Sequence, residues 1–593
     1  MSNSFSISRR KFIQGSVTIC AALPLTAALP GAVGKKLLGS NETVLTPGEE
    51  ILQRLWNENF LPETDTIVRV RTYRGDDLSE AEVVSNMGQL QQLLQDWATE
   101  FNTQELQYLQ LEPFEWKKTI DDTEYWMFGF RIGSENPTRK VATICHLDTV
   151  PPGQETEDWK PFDPHIEERE YLGGTQPFLV GRGTIDDKGP AISAFIAARA
   201  LAKQYDGTNS LDDLAIEVFF DTSEETDLGM PHYLEDPETR NPDFGIVYDA
   251  QWCVRAEKGA ERPVFVVNPT SAPAGLLWIE SLQTAPYSAT NQIPDWAEAQ
   301  IKGDAAALNQ FYSQVEAQYY SHQFDDPEYT QAAIEVSMNV AGDAVILRTL
   351  VAGAQHGSAP DENREGGANP LVSLANFLAD LVSDATLDAN AIGTMTEFIK
   401  WTWGTRVFGE NHSELVASDE VFEVGTTYAL TKFTNPDGAA QLEIDIRYAM
   451  PHNTVQWDGV TEGLLGGESL FLGIFTDLIG QFNAENPSYP PVVLKQTATL
   501  VTPDIRLPTN EDFQRVNAAY EAVMGEPCPQ FAIGGGTDAK GYTFLLAAGP
   551  LFSDRMGPPI NSHGIGEGAP LDDLKKSTEI LYNAMVNEIE AFG

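Results

Sequence analysis

Residues 181–190 read GRGTIDDKGP, and the apolar run AISAFIAARAL follows at once. Two glycines around an arginine predict a tight turn, and the run that follows has the spacing of a buried helix. Between turn and helix stand two adjacent carboxylates, Asp186 and Asp187. Acids at a helix start are favoured by the positive end of the helix, so capping alone explains one such pair in isolation.

The neighbouring segments make capping insufficient. KVATICHLDTV (140–150) is a β-branched run that ends in His146 and Asp148. LAIEVFFDTSEE (214–225) is a second apolar strand, breaking into Glu224 and Glu225, and FGIVYDAQW (244–252) a third, carrying Asp249. Strands alternating with helices predict an α/β fold with a mainly parallel sheet flanked by helices. In such sheets ligands collect beyond the carboxyl ends of the strands. Four segments therefore deliver imidazole or carboxylate to one edge. Gathering that many acids in a half-buried site costs several kcal/mol per uncompensated charge, of the order set by burial of unpaired ions. A cation offsets the cost, and the oxygen and nitrogen donors suit zinc, manganese or cobalt.

Length and composition frame this site. At 593 residues the chain exceeds what one core supports, so two or more domains are expected. With 42% hydrophobic residues it is globular, and a formal charge of −49 argues against nucleic-acid or anionic-membrane partners. The four cysteines, Cys20, Cys145, Cys253 and Cys528, have no CxxC spacing, which predicts neither a disulfide scaffold nor a thiolate metal cluster. Ser8-Arg9-Arg10-Lys11-Phe12 precedes an apolar stretch interrupted by Pro24 and Pro30. That pattern reads as a twin-arginine export signal over residues 1–34, placing the mature protein in the periplasm or outside the cell, with no membrane partner.

HLDTVPPG, GRGTIDDKG, the acid pair of DTSEET, the aspartate of VYDAQW and the late SHGIGEGAPLDDL together resemble the signature segments of the zinc-dependent exopeptidases that include peptidase V, carnosinase, aminoacylase and carboxypeptidase G. IGGGTDAKGYTF (533–544) and EIDIRYAMP (443–451) look most like the peptidase V type of dipeptidase. The resemblance runs from about residue 50 to the C-terminus. It implies two divalent metal ions, one held by His146, Asp186 and Asp249 and the other by Asp186, Glu225 and His563, with Asp186 bridging. It further implies that Glu224 is the general base and acid, that Asp148 orients His146, and that His356, in VAGAQHGSAP, reaches over the metals to the developing oxyanion. Arg447 would clamp the substrate carboxylate, with Gly534, Gly535, Gly536 and Thr537 approaching it through their backbone.

The expected domain plan is a catalytic domain from residues 45–260 and 500–593, with a large inserted α+β lid at 261–499, in which the motif-poor stretch 365–425 is unassigned. A lid of that size can supply His356 within one chain, which favours a monomer over a dimer. The expected activity is hydrolysis of dipeptides or short peptides with a free C-terminus. A carboxypeptidase or N-acyl-amino-acid amidohydrolase with the same centre, and a non-catalytic peptide-binding relative, remain alternatives.

Overall fold

A computed structural model describes residues 45–593 except 76, 121–122, 227–228, 270–274, 352–354, 362–368, 498 and 553–556. The predicted export signal at 1–34 lies outside the described residues. No helix among them is long and apolar enough to cross a membrane.

The six-stranded sheet that carries the site runs in the order Glu112–Ile120, Thr123–Gly133, Leu214–Asp221, Arg139–His146, Phe244–Val247, Leu545–Ala547. The last four strands are mutually parallel, and the first two form an antiparallel edge. LAIEVFFD is buried at every position, as a strand covered on both faces must be. Its one mid-strand acid, Glu217, meets Lys140 Nζ at 2.7 Å and Arg131 Nε at 2.7 Å, so the buried charge is paired. Helix Lys188–Tyr205 is small-residue-rich and buried almost all round, because the Pro47–Leu55 and Leu571–Phe592 helices close over it. The first core joins residues between Ile51 and Cys253 to residues between Phe513 and Ile589.

A second core lies between Phe265 and Val492 in sequence. It is built from two antiparallel sheets and the helices that pack on them. One has four strands, in the order Leu277–Thr284, Trp296–Gly303, Val345–Leu350, Ala333–Met338; the other has six, with Ala440–Tyr448 at its heart. The unassigned stretch forms helices Pro370–Ser383 and Ala391–Thr402, apolar on most sides and buried in this second core. Its lack of motifs follows from that packing role.

The chain crosses between the two parts at Val254–Glu257 into Gly259–Glu261, and returns at Thr499–Val501 into Asp504–Ile505. The two crossings pair with each other, Ala260 opposite Val501 and Glu257 opposite Asp504.

The cysteine expectation needs correction: Cys253 and Cys528, 275 positions apart in sequence, form a disulfide, with Cα atoms 6.2 Å apart. Long-range partners leave no spacing signature, so the pattern could not reveal it. Cys145 is buried and free.

Candidate metal centre

Three of the expected ligands sit where a strand ends. His146 closes the Arg139–His146 strand, Glu225 follows Leu214–Asp221 by four residues, and Asp249 follows Phe244–Val247 by two. Asp186 lies just before the Lys188–Tyr205 helix. Its two oxygens face different partners: Oδ1 is 3.1 Å from His146 Nε2, and Oδ2 is 3.1 Å from His563 Nε2. Ser562 Oγ donates to the same Oδ2 at 2.9 Å. His146 Nε2 is also 3.7 Å from Asp249, and His563 Nε2 is 3.3 Å from Glu225 Oε1.

The GRGTIDDKGP turn serves this geometry. At Gly183, φ is +82° and a Cβ would meet Thr149 Cγ2 at 2.9 Å, so a side chain there is excluded twice over. Arg182, fully buried, pairs with Glu567 and donates Nη2 to the carbonyls of His563 at 3.1 Å and Gly564 at 3.2 Å. It thereby fastens the His563 loop to the turn that carries Asp186. Asp187 makes no side-chain cap for the helix; its Oδ2 accepts the His146 backbone N–H at 3.0 Å instead. Lys188 Nζ donates to the Val70 carbonyl at 2.6 Å.

Charge balance tests whether a cation fits. Burial opposes charge on Asp186, yet the two histidines outweigh it and hold the carboxyl well below the usual range. Burial also opposes a charged His563, yet Glu225 and Asp186 push it up to about 10. The acids thus demand positive charge, and protons on the histidines answer that demand where no cation does. Burial drives Asp249 well above the ordinary carboxyl range, with Asp186 adding to it. Glu225 Oε1 and His563 Nδ1 are buried without a hydrogen-bond partner among the described residues. His146, Asp186 and Glu225 offer ligand atoms all within 4.8 Å of one another. Nitrogen and carboxylate donors in this arrangement fit a divalent cation such as zinc.

Glu224 is half-buried beside the cluster, its carboxyl pushed well above the usual range by burial and by neighbouring Glu225. His146 Nδ1 bonds the Asp148 backbone carbonyl at 3.1 Å, with the Asp148 carboxylate 3.4 Å away, and that carboxylate accepts the backbone N–H groups of Glu224 and Glu225, each at 3.1 Å. Asp148 therefore aligns the imidazole and the acid pair together. This double role was not legible in the sequence.

His356 arrives from the inserted region, its ring centroid 4.3 Å from that of His563. Its Nδ1 accepts the Ser358 backbone N–H at 3.1 Å, which leaves the proton of the neutral ring on Nε2. Burial, with His563 and Arg447 adding, holds it well below the usual histidine range, so the ring is neutral. Gln292 and Gln355 dock the same region on the ligand loop, through the His563 carbonyl at 2.8 Å and the Ile565 N–H at 2.6 Å. Neither glutamine stood out in the sequence, since isolated amides carry no pattern.

Arg447 lies on the Ala440–Tyr448 strand, its Nε on both oxygens of Asp445 at 3.2 and 3.0 Å, and its Nη1 on the Gly534 carbonyl at 3.3 Å. A Cβ on Gly536 would stand 4.0 Å from Arg447 Nη1, so the glycine segment lines the arginine, whereas a Cβ on Gly535 would meet Ile533. Thr537 gives both its N–H and its hydroxyl to Glu257, at 3.0 and 3.1 Å.

Residues 142–587 match the peptidase family M20/M25/M40. The chain belongs to that family. This M20 chain is accordingly a metallopeptidase. It is 26% identical over 440 residues, covering 74% of this chain and 80% of the other, to a protein of Staphylococcus aureus named "putative dipeptidase". Among solved structures it is similar to the di-peptidase Dug1p of Saccharomyces cerevisiae, at TM-score 0.48 and 12% identity, covering 92% of this chain and 98% of that one. Human carnosine dipeptidase 1 is matched at TM-score 0.48 and 11% identity, covering 92% and 99%.

Proposed function

We propose that this M20 chain is an exported dipeptidase that binds two divalent metal ions and hydrolyses dipeptides or short peptides with a free C-terminal carboxylate. The observation that carries the reading is the Asp186 carboxylate, with one oxygen toward His146 and the other toward His563. His146, Asp186 and Asp249 would hold one ion, and Asp186, Glu225 and His563 the other. Such ions, when bound, lower the pKa of water and polarise the scissile carbonyl.

The chain's own groups do the rest. Glu224, buried to a pKa well above the usual carboxyl range, takes the proton of the attacking water and returns it to the leaving amine. His356 presents Nε2–H to the oxyanion, a fixed donor that needs no reorganisation during the reaction. Arg447, pinned by Asp445, pairs with the C-terminal carboxylate and sets the peptide's position. Since His356 comes from the same chain as the ligands, a monomer suffices. The Cys253–Cys528 bridge supports export, because such bonds persist in oxidising compartments.

A panel of dipeptides, longer peptides and N-acyl-amino acids, run with enzyme loaded with zinc, manganese or cobalt, tests this. Dipeptides are expected to turn over fastest, with activity lost to chelator and regained with metal. Faster turnover of acyl-amino acids would replace the dipeptidase reading with an amidohydrolase one.

A further inference from the structure

Lys258 occupies the single position between the Val254–Glu257 and Gly259–Glu261 strands, where the chain first passes from one core to the other. Its backbone is fixed on both sides: its N–H donates to the Ile533 carbonyl at 3.0 Å, and its own carbonyl accepts Lys540 Nζ. The residue is only 3% exposed, yet its ammonium makes no hydrogen bond or ion pair among the described residues. The charges facing it are Asp361, Arg447 and Asp419. Asp419 is already occupied by the N–H groups of Val421, Phe422 and Met450. Arg447 is the arginine beside the Gly534 segment, and it repels the lysine. Asp361 attracts the ammonium but does not reach it as an ion pair, so Lys258 stands beside a guanidinium with no bonded acceptor among the described residues, an arrangement that an anionic ligand completes.

We propose that Lys258 is a specificity-determining residue that binds a second carboxylate, the side chain of a C-terminal Glu or Asp, while Arg447 takes the main-chain carboxylate. This rests on the dipeptidase reading above. The line of contact supports the placement. His356 packs at a tilt against His563, Ser358 bonds His356, a Cβ on Gly534 would meet the Ser358 carbonyl at 2.6 Å, and the Gly534 carbonyl accepts from Arg447. A residue whose scissile bond lies at the ligands and whose main-chain carboxylate lies at Arg447 has its side chain within reach of the group next to that arginine. The overall charge of −49 repels acidic peptides, so accepting one requires local cations of this kind.

The test compares Ala-Glu, Ala-Gln and Ala-Ala on the metal-loaded enzyme. Glu and Gln have nearly the same shape, so their ratio isolates the charge. The expected kcat/KM preference for Ala-Glu over Ala-Gln is about tenfold or more, the size of one charge-assisted hydrogen bond, and is carried by KM. Lys258→Gln should collapse that ratio toward one, and Lys258→Arg should retain most of it. A wild-type ratio near one overturns the inference without any variant, so it stands or falls even if Lys258→Gln does not fold. Equal losses on all three peptides in Lys258→Gln also overturn it, since they would place the ammonium on the main-chain carboxylate. No hydrolysis of any of the three would overturn the dipeptidase reading as well, which Ala-Ala turnover distinguishes from loss of preference alone.

Discussion

At one end of the line of contacts from His563 to Arg447, Asp186, Glu225 and Asp249 crowd around two histidines, and protons are pulled onto His563 to balance them. At the other end Arg447 and Lys258 stand together, and burial weakens the lysine's charge, its pKa falling to about 8. The first end holds an excess of acid; at the second, Asp445 pairs with Arg447, while Lys258 bonds no carboxylate among the described residues. Buried charge left unpaired is costly, and a ligand of the opposite sign relieves it. The acidic end calls for cations, and the basic end for an anion. A peptide whose reacting bond sits at the first end and whose free carboxylate sits at the second relieves both.

Breaking the acidic end should have the largest effect. Asp186→Ala removes the carboxylate shared by both histidines, and is expected to abolish activity and metal content together, as read by metal analysis after dialysis. Retention of two equivalents of metal would show that the shared carboxylate is dispensable. Glu224→Gln probes the same end without touching a ligand. Its kcat is expected to fall by about a thousandfold, within the range for loss of a general acid–base group, with metal content unchanged. Near-normal turnover would remove Glu224 from its role.

The basic end gives the smaller effect, and it depends on pH. Lys258 loses its charge as pH rises through about 8, because burial has brought its pKa down from 10.5. The Ala-Glu over Ala-Gln preference is therefore expected to be full below that value and to fade above it. Lys540, also brought down to about 8 by burial, titrates over the same range but spends its ammonium on the Lys258 carbonyl. A preference constant from pH 6 to 10 would separate it from the lysine's charge.

The two ends differed in how legible they were. Asp186 and Glu225 stood out because strands ending in acids, repeated along the chain, have no inexpensive structural explanation. Three of the four parallel strands were plain from their unbroken apolar runs, whereas the three-residue Leu545–Ala547 was too short to read. Lys258 was invisible, since one lysine after a short strand looks like any surface residue until the Thr499–Val501 return crossing is seen to pair alongside it. Asp187 was half-legible: its adjacency to Asp186 marked it, but its bond to the His146 N–H needed the fold. The helices Pro370–Ser383 and Ala391–Thr402 carry no chemistry, and so left only a packing signal.

The Cys253–Cys528 bridge has a consequence for how the molecule withstands cutting. The bond closes a loop of chain that contains the whole second core, from Phe265 to Val492. A protease that nicks an exposed turn anywhere within that loop yields two fragments that remain one covalent molecule. They part only when the bond is reduced.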